Sequence, residues 1–187
     1  MRVTQASTGR KIIAAAERRM RECGFHGFSF RDIAADVGIK SASVHHHFPT
    51  KEDLGAAVAS AYTKRLMDAL GDPNDPVRMP EDLIELYVDL YRRALQKGKG
   101  RQTCLGGVIA CELASLPENV ARAGVEFFES SAGWLEAVLR RRSPQAEPEA
   151  TRAQALRILA LLQGATLIAK TLDREDVFEV VAKSALE

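Results

Sequence analysis

The sequence predicts an all-α protein of about nine helices, in which an N-terminal three-helix head precedes a larger C-terminal helical bundle. Apolar residues recur with helical spacing along almost the whole chain, whereas runs that alternate apolar and polar residues are absent. Glycines and prolines interrupt these periodic stretches at intervals that suit single helices. Aromatic residues make up only 6% of the chain, and Ala, Leu, Glu and Arg dominate its composition, which favours helix.

Capping patterns place the first two helices. A first helix is expected over residues 8–21, with Thr8 as its N-cap. Ser29 is followed three residues later by Asp32, a capping box that opens a short second helix. That helix is expected to stop at Gly38.

The later elements follow in the same way. A third short helix is predicted from about Ser41 to His47, and Thr50 with Asp53 forms a second capping box that opens a fourth helix. Residues 71–76 read Gly-Asp-Pro-Asn-Asp-Pro, the strongest linker-like segment in the chain. The remaining helices are predicted over residues 80–97, 101–115, 117–141, 149–171 and 174–186.

The chain is predicted to divide into two functional parts. Residues 1–55 would form one part and residues 56–187 the other. The first part holds nine Lys or Arg, six Asp or Glu and all four histidines, whereas the second holds 17 basic and 19 acidic residues. This distribution indicates a nucleic-acid face at the N-terminal end, although a net charge of +1 argues against a general polyanion binder.

The second and third helices meet the geometric requirement of a helix-turn-helix, two short helices joined by a tight turn. Ala34 is small enough to let the two helices cross closely. Gly38 can adopt the left-handed backbone that the turn needs. Val44 is expected on the inward face of the third helix, near Ile33 and Val37.

These residues belong to a longer pattern over about the first 55 positions. Its elements are Ile12-Ile-Ala-Ala-Ala, Gly24-Phe25, Phe30-Arg31-Asp32-Ile33-Ala34, Val37-Gly38 and His47-Phe48-Pro-Thr-Lys51-Glu-Asp-Leu54. In order and spacing the pattern resembles the TetR/AcrR family of one-component transcriptional regulators. The resemblance implies a homodimer whose heads bind the two halves of a palindromic operator in double-stranded DNA, with the third helix in the major groove. It also implies that residues 1–55 form a helix-turn-helix DNA-binding domain and residues 56–187 an effector-binding and dimerisation domain.

The same resemblance assigns candidate DNA contacts in the head. On the third helix, the candidates to face base edges or phosphates are Ser41, Ala42, Ser43, His45 and His46. His47 and Lys51 match family positions near the sugar-phosphate backbone, and a helix N-terminus at Lys51 favours phosphate. Arg31 and Thr8 are expected to open the second and first helices and to touch flanking phosphates. Lys40 suits a phosphate contact and a solvated turn charge equally well.

His45 departs from the family pattern, which usually has tyrosine at this position. The histidine predicts a mild pH dependence of DNA binding. Residues 45–47 are three consecutive histidines, but successive helical residues point about 100° apart and do not converge on one ion. Neither a metal nor a cofactor is predicted.

Aromatic residues of the C-terminal part are candidates for an effector pocket, because the resembling family encloses a small molecule with these helices. They are Tyr87, Tyr91, Phe127, Phe128 and Trp134. Each of them is also compatible with a place in an ordinary core. Gly106, Gly107 and Gly124 lie within helical patterns, where they either permit close helix approach or leave room for a ligand.

Cys104 is the candidate for a thiol sensor. It is expected in the first turn of a helix, after Lys97, Lys99 and Arg101. A helix N-terminus and nearby cations both stabilise a thiolate over a thiol. The alternative is that Cys104 is a small buried hydrophobe.

The segment Cys104-Leu-Gly-Gly-Val-Ile-Ala-Cys-Glu-Leu-Ala is similar to one in repressors of N-ethylmaleimide reductase, which sense electrophiles and oxidants. By that analogy Lys170 is the partner of Cys104, and the effector is a small molecule or an electrophile. Cys111 is two helical turns from Cys104, too far for a disulfide within one helix. Cys111 and Cys23 are expected in the core.

The last two long helices carry broad apolar faces. Their members are Leu156, Leu159, Ala160, Leu162, Gln163, Thr166, Ala169, Val177, Val180, Val181 and Ala185. Two such helices from each of two chains would form a four-helix seam, the dimer contact that the family resemblance implies. The alternative is that these faces form the core of a single chain.

The sequence also bears on location. The N-terminal residues are polar and do not resemble a secretory signal. The longest apolar stretch, residues 156–172, is interrupted by Arg157, Gln163 and Lys170, so no membrane span is predicted. Three cysteines without a CxxC pattern fit reduced thiols in a cytoplasmic protein.

The function predicted from these features is a ligand- or redox-responsive transcriptional regulator, a repressor by the commoner mode of the resembling family, and not an enzyme. Two alternatives remain open. One is a helical thiol-dependent enzyme with Cys104 as nucleophile, although a recognisable base is lacking and the head would be unexplained. The other is an architectural DNA-binding protein without an effector.

Overall fold

The computed structural model describes residues 2–97 and 102–186, and the regular elements of these residues are helices. Nine α-helices lie in this part of the chain, with a 3₁₀ turn at Leu113–Ser115. They are α1 (Arg2–Cys23), α2 (Phe30–Val37), α3 (Ser41–His47), α4 (Lys51–Leu70), α5 (Pro80–Lys97), α6 (Leu105–Glu112), α7 (Glu118–Arg142), α8 (Pro148–Leu172) and α9 (Glu175–Leu186). The predicted all-α fold is confirmed.

Both predicted capping boxes are present. At the start of α2, Ser29 Oγ accepts a hydrogen bond from the backbone N–H of Asp32, whose carboxylate accepts from the backbone N–H of Ser29 at 2.7 Å. Thr50 and Asp53 make the same pair of bonds before α4, each at 3.1 Å. Two otherwise unpaired helix N–H groups are satisfied at each box, which explains why these helices begin where the sequence predicts.

Two predicted helix starts are wrong. Helix α1 begins at Arg2, so Thr8 lies inside the helix and does not cap it. Residues 2–7 contain neither glycine nor proline, and nothing stops the helix from extending past Thr8. Cys104 precedes α6, which begins at Leu105, instead of lying in its first turn.

The chain forms two compact units. Unit 1 contains the described residues up to Lys64 together with Leu105–Phe127, so α6 and the first half of α7 belong with the head helices. Unit 2 contains Arg65–Cys104 and the described residues from Phe128 onwards. Compactness does not decide which residues bind DNA, and the functional division at residue 55 stays a prediction.

The core of unit 1 joins the head helices to α6 and α7. Its fully buried members include Ile12 and Met20 of α1, Ile33 of α2, Val44 of α3 and Leu54 of α4. In α1 the buried residues Ile12, Ala15, Ala16 and Met20 recur at helical spacing, so this helix buries one stripe.

Two of the glycines singled out above settle how α6 packs against α7. A Cβ atom on Gly106 would overlap the ring of Phe127, and one on Gly124 would overlap the side chain of Ile109. Gly106 and Gly124 therefore permit close helix approach within unit 1. Phe127 fills this contact and also packs against Tyr62, with 5.7 Å between ring centroids.

In unit 2 the predicted linker is held against α7. Trp134 Nε1 donates a hydrogen bond to the carbonyl of Gly71 at 2.8 Å. The guanidinium of Arg141 donates to the carbonyls of Pro73 and Arg78 at 2.6 and 2.7 Å. These bonds satisfy backbone groups of the segment between α4 and α5, so the segment follows one fixed path over α7.

Candidate DNA-binding face and effector site

The turn between α2 and α3 has the conformation that the sequence predicts. Gly38 adopts φ 74° and ψ 37°, the left-handed region that favours glycine. Its N–H and that of Ile39 bond back to the carbonyls of Ala35 and Ala34 at 3.3 and 3.0 Å. The turn thereby closes α2 and directs the chain into α3 within three residues.

Helix α3 has one buried residue and one outward face. Val44 is fully buried in the core of unit 1. Ala42, His45 and His46 are exposed, and their i, i+3, i+4 spacing puts them on one face of the helix. Three of the six predicted DNA contacts on α3 are therefore exposed to solvent. The other three, Ser41, Ser43 and His47, are half-buried.

Of the other predicted contacts of the head, Arg31 and Lys40 lie near helix starts, whereas Thr8 does not. Arg31 is exposed at the second position of α2, and Lys40 is exposed immediately before α3. Thr8 is half-buried inside α1, so the helix-terminus reason for a phosphate contact does not hold for this residue. Whether each of these side chains contacts DNA remains a prediction.

Two histidines of α3 are positioned by neighbours. The ring of His45 packs edge-on against Phe30, the first residue of α2, with 4.6 Å between ring centroids. His47 lies against Gly9 of α1, where an added Cβ would come within 3.6 Å of His47 Nδ1. His47 therefore fills space between α3 and α1 in addition to its predicted place near DNA.

Lys51, the first residue of α4, is held between two aromatic rings. Its ammonium lies 4.6 Å from the ring centre of Phe28 and 4.9 Å from that of Phe25. This is a cation–π arrangement, which fixes the position of the charge. Desolvation beside the rings lowers the pKa of the Lys51 ammonium. The sequence showed both phenylalanines around Gly27, but only the fold brings them to Lys51.

A salt bridge that the sequence did not reveal ties α1 to α2. The carboxylate of Asp36 accepts hydrogen bonds from Arg19 at 2.8 and 2.9 Å and from Arg18 at 3.1 Å. The hydrogen bonds from Arg19 lower the pKa of Asp36 to about 2. Bidentate arginine pairs have well-defined geometry, so this bridge sets how α2 lies against α1.

In unit 2 the structure brings together three of the predicted effector aromatics. Tyr87 packs on Tyr91 with 5.5 Å between ring centroids and stacks on Trp134 at 5.8 Å. All three side chains are buried. Phe127 belongs to unit 1 instead, and its assignment to an effector site stays a prediction.

Cys104 is buried in unit 2, with 7% of its surface exposed. Gln163 of α8, which is also buried, donates from Nε2 to Cys104 Sγ at 3.4 Å and to the hydroxyl of Tyr91 at 2.9 Å. The sequence did not single out Gln163 as a ligand group. Its central place follows from the fold, because it lies on the buried stripe of α8.

The proposed partners of Cys104 are only partly described. Lys170 is half-buried in the last turns of α8, and its pairing with Cys104 remains a prediction. Residues 98–101, with the predicted cations Lys99 and Arg101, lie outside the described residues, as does the side chain of Lys97. Cys23 and Cys111 are exposed, so their expected place in the core is wrong.

Three buried polar atoms have no hydrogen-bond partner among the described residues: Tyr87 Oη, Ser131 Oγ and Gln163 Oε1. Burial raises the pKa of Tyr87 to about 12, an effect that the nearby hydroxyls of Ser131 and Tyr91 reduce. Unsatisfied buried polar groups are rare in folded proteins. Their grouping beside Cys104 and the aromatic stack marks this part of unit 2 as chemically unusual.

The predicted apolar faces of α8 and α9 are divided between core and surface. Six of the eleven residues, namely Leu159, Leu162, Gln163, Thr166, Ala169 and Ala185, are buried within the chain. A second stripe of α8 is exposed and apolar, and Val180 of α9 is 69% exposed. The exposed large residues of α8 are Leu156, Leu167, Ile168 and Leu172.

Helix α8 is also the one helix among the described residues whose length and composition would suit a membrane crossing, and 39% of its most apolar window is buried. Core helices meet the same criterion. Across the described ranges, no three His, Cys, Asp or Glu side chains are arranged to hold a metal ion.

Two parts of the chain match models of known protein families. Residues 12–58 match the model for bacterial regulatory proteins of the tetR family. Residues 80–184 match the C-terminal domain of transcriptional regulators that resemble LmrA and YxaF. The regulator CymR of Pseudomonas putida is 35% identical over 87 residues, which cover 42% of this chain and 43% of CymR. The match thus spans less than half of that relative.

Solved structures extend the likeness to nearly the whole chain. A TetR transcriptional regulator from Legionella pneumophila superposes with a TM-score of 0.87 at 33% identity, covering 94% of this chain and 93% of that one. Reduced NemR of Escherichia coli superposes with a TM-score of 0.77 at 22% identity, covering 96% and 95%, and shares the fold. This chain belongs to the tetR family of bacterial transcriptional regulators.

Proposed function

We propose that the protein is an effector-responsive repressor that binds a palindromic operator as a homodimer in the cytoplasm. The observation that carries the proposal is the exposed face of α3, on which Ala42, His45 and His46 lie opposite the buried Val44. A short helix with one anchored face and one free face suits insertion into the major groove.

The surroundings of α3 supply the phosphate contacts in this proposal. Arg31 and Lys40 are exposed cations beside α2 and α3. Lys51 adds a charge whose position is fixed by Phe25 and Phe28. Contacts of this kind orient a protein on DNA, whereas base-edge contacts from α3 specify the sequence.

His46 tests the role of α3. Removing a base contact costs about 1–3 kcal/mol, so His46→Ala should weaken binding to the preferred DNA by about tenfold. His26 is a matched control, because it is an exposed histidine of the same unit outside α3. Fluorescence anisotropy titrations should show that His26→Ala binds within about twofold of the unaltered protein. Equal affinities for both variants would contradict the assignment.

Dimer formation is supported by the exposed stripe of α8. Leu156, Ile168 and Leu172 are large apolar side chains that the chain itself leaves uncovered. On the same stripe, Gly164 has open space where its side chain would be, so another helix can approach closely there. Two half-sites bound together multiply the affinity that one short α3 can supply.

The dimer is tested with a charge on this stripe. Ile168→Arg should convert the protein to a monomer in sedimentation velocity and weaken operator binding. Val77→Arg is the control, because Val77 is a highly exposed apolar residue in the segment between α4 and α5. If the Ile168→Arg variant formed dimers as tightly as the unaltered protein, the dimer interface would lie elsewhere.

The effector is proposed to bind in unit 2, near Tyr87, Tyr91 and Cys104. A ligand there shifts the protein towards a conformation with low operator affinity, provided that it binds that conformation more tightly. The burial of Cys104 favours noncovalent binding over attack on its thiol, and it also argues against the thiol-enzyme alternative.

In a transcription reporter, the protein should lower expression from a promoter that carries its operator; increased expression would indicate an activator.

A further inference from the structure

The core of unit 2 contains a group of polar side chains from four separate chain segments. We call Tyr87, Tyr91, Cys104, Ser131 and Gln163 the polar cluster; they come from α5, the residue before α6, α7 and α8. Each is buried, and the other buried residues of unit 2 are aliphatic or aromatic apart from Thr151 and Thr166 of α8. A polar group in such surroundings destabilises the fold unless a hydrogen bond compensates it.

Part of the polar cluster is satisfied internally. Gln163 Nε2 donates to Tyr91 Oη and to Cys104 Sγ, which uses both amide hydrogens. The hydroxyls of Tyr87 and Ser131 and the carbonyl oxygen of Gln163 make no hydrogen bond of good geometry among the described residues, although the hydroxyls of Ser131 and Tyr91 lie close enough to that of Tyr87 to lower its pKa. Three unsatisfied atoms in one cluster are more than an ordinary core contains.

The unsatisfied atoms determine which hydrogen-bonding groups a ligand of the polar cluster needs. Gln163 Oε1 only accepts hydrogen bonds, so its partner must be a donor. The hydroxyls of Tyr87 and Ser131 can each donate, so an acceptor satisfies them. A molecule with at least one donor and one acceptor therefore matches the polar cluster.

The polar cluster also selects against charged ligands. It contains no carboxylate, ammonium or guanidinium group, and burial raises the pKa of the Tyr87 hydroxyl to about 12. A charged ligand would lose its hydration without gaining an ionic partner from the cluster, which is strongly unfavourable.

The exposure of the residues indicates how a ligand reaches these atoms. The solvent-exposed fractions of Tyr91, Cys104 and Gln163 are 6–8%, whereas Tyr87 and Ser131 are fully buried. The polar cluster thus has a side close to the surface and a deeper end that carries both unsatisfied hydroxyls.

We propose that the polar cluster binds the effector, and that the effector is a small uncharged molecule with an apolar body, one hydrogen-bond donor and one acceptor. This inference rests on the proposed function, since it names the ligand class of the site in unit 2. It adds Ser131 and Gln163 as ligand contacts, whose hydrogen bonds favour a ligand with polar groups.

The probe for this class is 3-hydroxyacetophenone, which has a hydroxyl donor, a carbonyl acceptor and one aromatic ring. It should raise the melting temperature of the full chain by several degrees at saturation, because a ligand that binds only the folded state stabilises it. Acetophenone, without the donor, and 3-hydroxybenzoate, with a charge, should give much smaller shifts. No shift with 3-hydroxyacetophenone, or equal shifts with all three compounds, would overturn the inference.

Three variants separate ligand contacts from structural ones. Tyr87→Phe and Ser131→Ala each remove an unsatisfied hydroxyl, so the unliganded proteins should melt at or above the temperature of the unaltered protein. Gln163→Glu introduces a charge among the neutral groups. All three should lose most of the ligand-induced shift. Lower melting temperatures of Tyr87→Phe and Ser131→Ala with an unchanged ligand shift would show structural roles and overturn the inference.

DNA binding separates failure of this inference from failure of the proposed function. In one outcome the protein binds its operator specifically, but 3-hydroxyacetophenone changes neither the operator affinity nor the melting temperature. That outcome would leave the repressor proposal intact and overturn the ligand class. A thermal shift that depends on Tyr87 and Ser131, in a protein without specific DNA binding, would support the ligand class and overturn the repressor proposal.

Discussion

The carboxylate of Glu112 accepts a hydrogen bond from the backbone N–H of Phe25 at 2.8 Å. Glu112 is the last residue of α6, and Phe25 lies between α1 and α2, so the bond joins α6 to the head within unit 1. Gly24 leaves space for this carboxylate, which a Cβ atom at that position would overlap. The bond thus connects α6 to the loop that carries both aromatic rings beside Lys51, Phe25 and Phe28.

Loss of this bond should destabilise unit 1. In Glu112→Ala the partly buried N–H of Phe25 loses its partner, which costs about 1–3 kcal/mol. Glu112→Gln is the matched variant, because its carbonyl oxygen still accepts a hydrogen bond and a smaller loss is expected. Urea unfolding of the two variants checks the difference, and equal free energies of unfolding for Glu112→Ala and the unaltered protein would refute it.

The Asp36 bridge predicts a pH dependence of stability. Its pKa is lowered from 3.8 to about 2 in the folded state, so the stabilisation is present above about pH 4 and is lost as the pH falls towards 2. Because the arginines are partly exposed, Asp36→Asn should cost only about 1 kcal/mol at neutral pH. The difference between this variant and the unaltered protein should disappear in acid unfolding series.

Asp176→Asn is the control for this prediction. Asp176 pairs with Arg174 at the surface, where both side chains are more than half exposed. Its replacement should leave the free energy of unfolding unchanged at neutral pH. Equal effects of Asp36→Asn and Asp176→Asn would show that the α1–α2 bridge has no special role.

Two glycines of α7 should respond oppositely to alanine. Gly124→Ala would place a Cβ atom against Ile109, and overpacking of this kind costs about 1–3 kcal/mol. Gly133 has nothing within 4 Å of its Cβ position, so Gly133→Ala should gain up to about 1 kcal/mol of helix propensity. Thermal unfolding measures both, and stabilisation by Gly124→Ala would contradict the close packing of α6 on α7.

The three thiols should react in a fixed order. Cys111 is exposed and should be labelled first by a thiol reagent. Cys23 is also exposed, but partial desolvation raises its pKa, and its thiol donates to the carbonyls of Arg19 and Gly27. Cys104 is buried and should react last. Peptide mass spectrometry over a time course checks this order, and first labelling of Cys104 would favour the covalent sensor mode.

Much of the fold was predictable because local sequence signals determine helix ends. Ser29 with Asp32 and Thr50 with Asp53 form capping boxes between residues only three apart in the sequence, and Gly38 closes α2. Thr8 shows the limit of such signals, since a cap residue without a helix breaker before it does not start a helix.

The site was less predictable because its features depend on contacts between distant residues. The place of Lys51 between Phe25 and Phe28 requires the folded loop before α2. Apolar spacing in α8 predicts a buried face, but it does not separate the stripe that covers unit 2 from the stripe left at the surface. The unsatisfied atoms of the polar cluster emerge only when four segments pack together.

Selection of DNA from a random-sequence pool by the protein tests whether a dimer reads DNA through α3. The account predicts enrichment of a palindrome with half-sites about one helical turn apart. Enrichment should be lost with His46→Ala and with Ile168→Arg, and retained with His26→Ala. Enrichment of no sequence, or of a non-palindromic sequence that Ile168→Arg leaves unchanged, would contradict a dimer that reads DNA through α3.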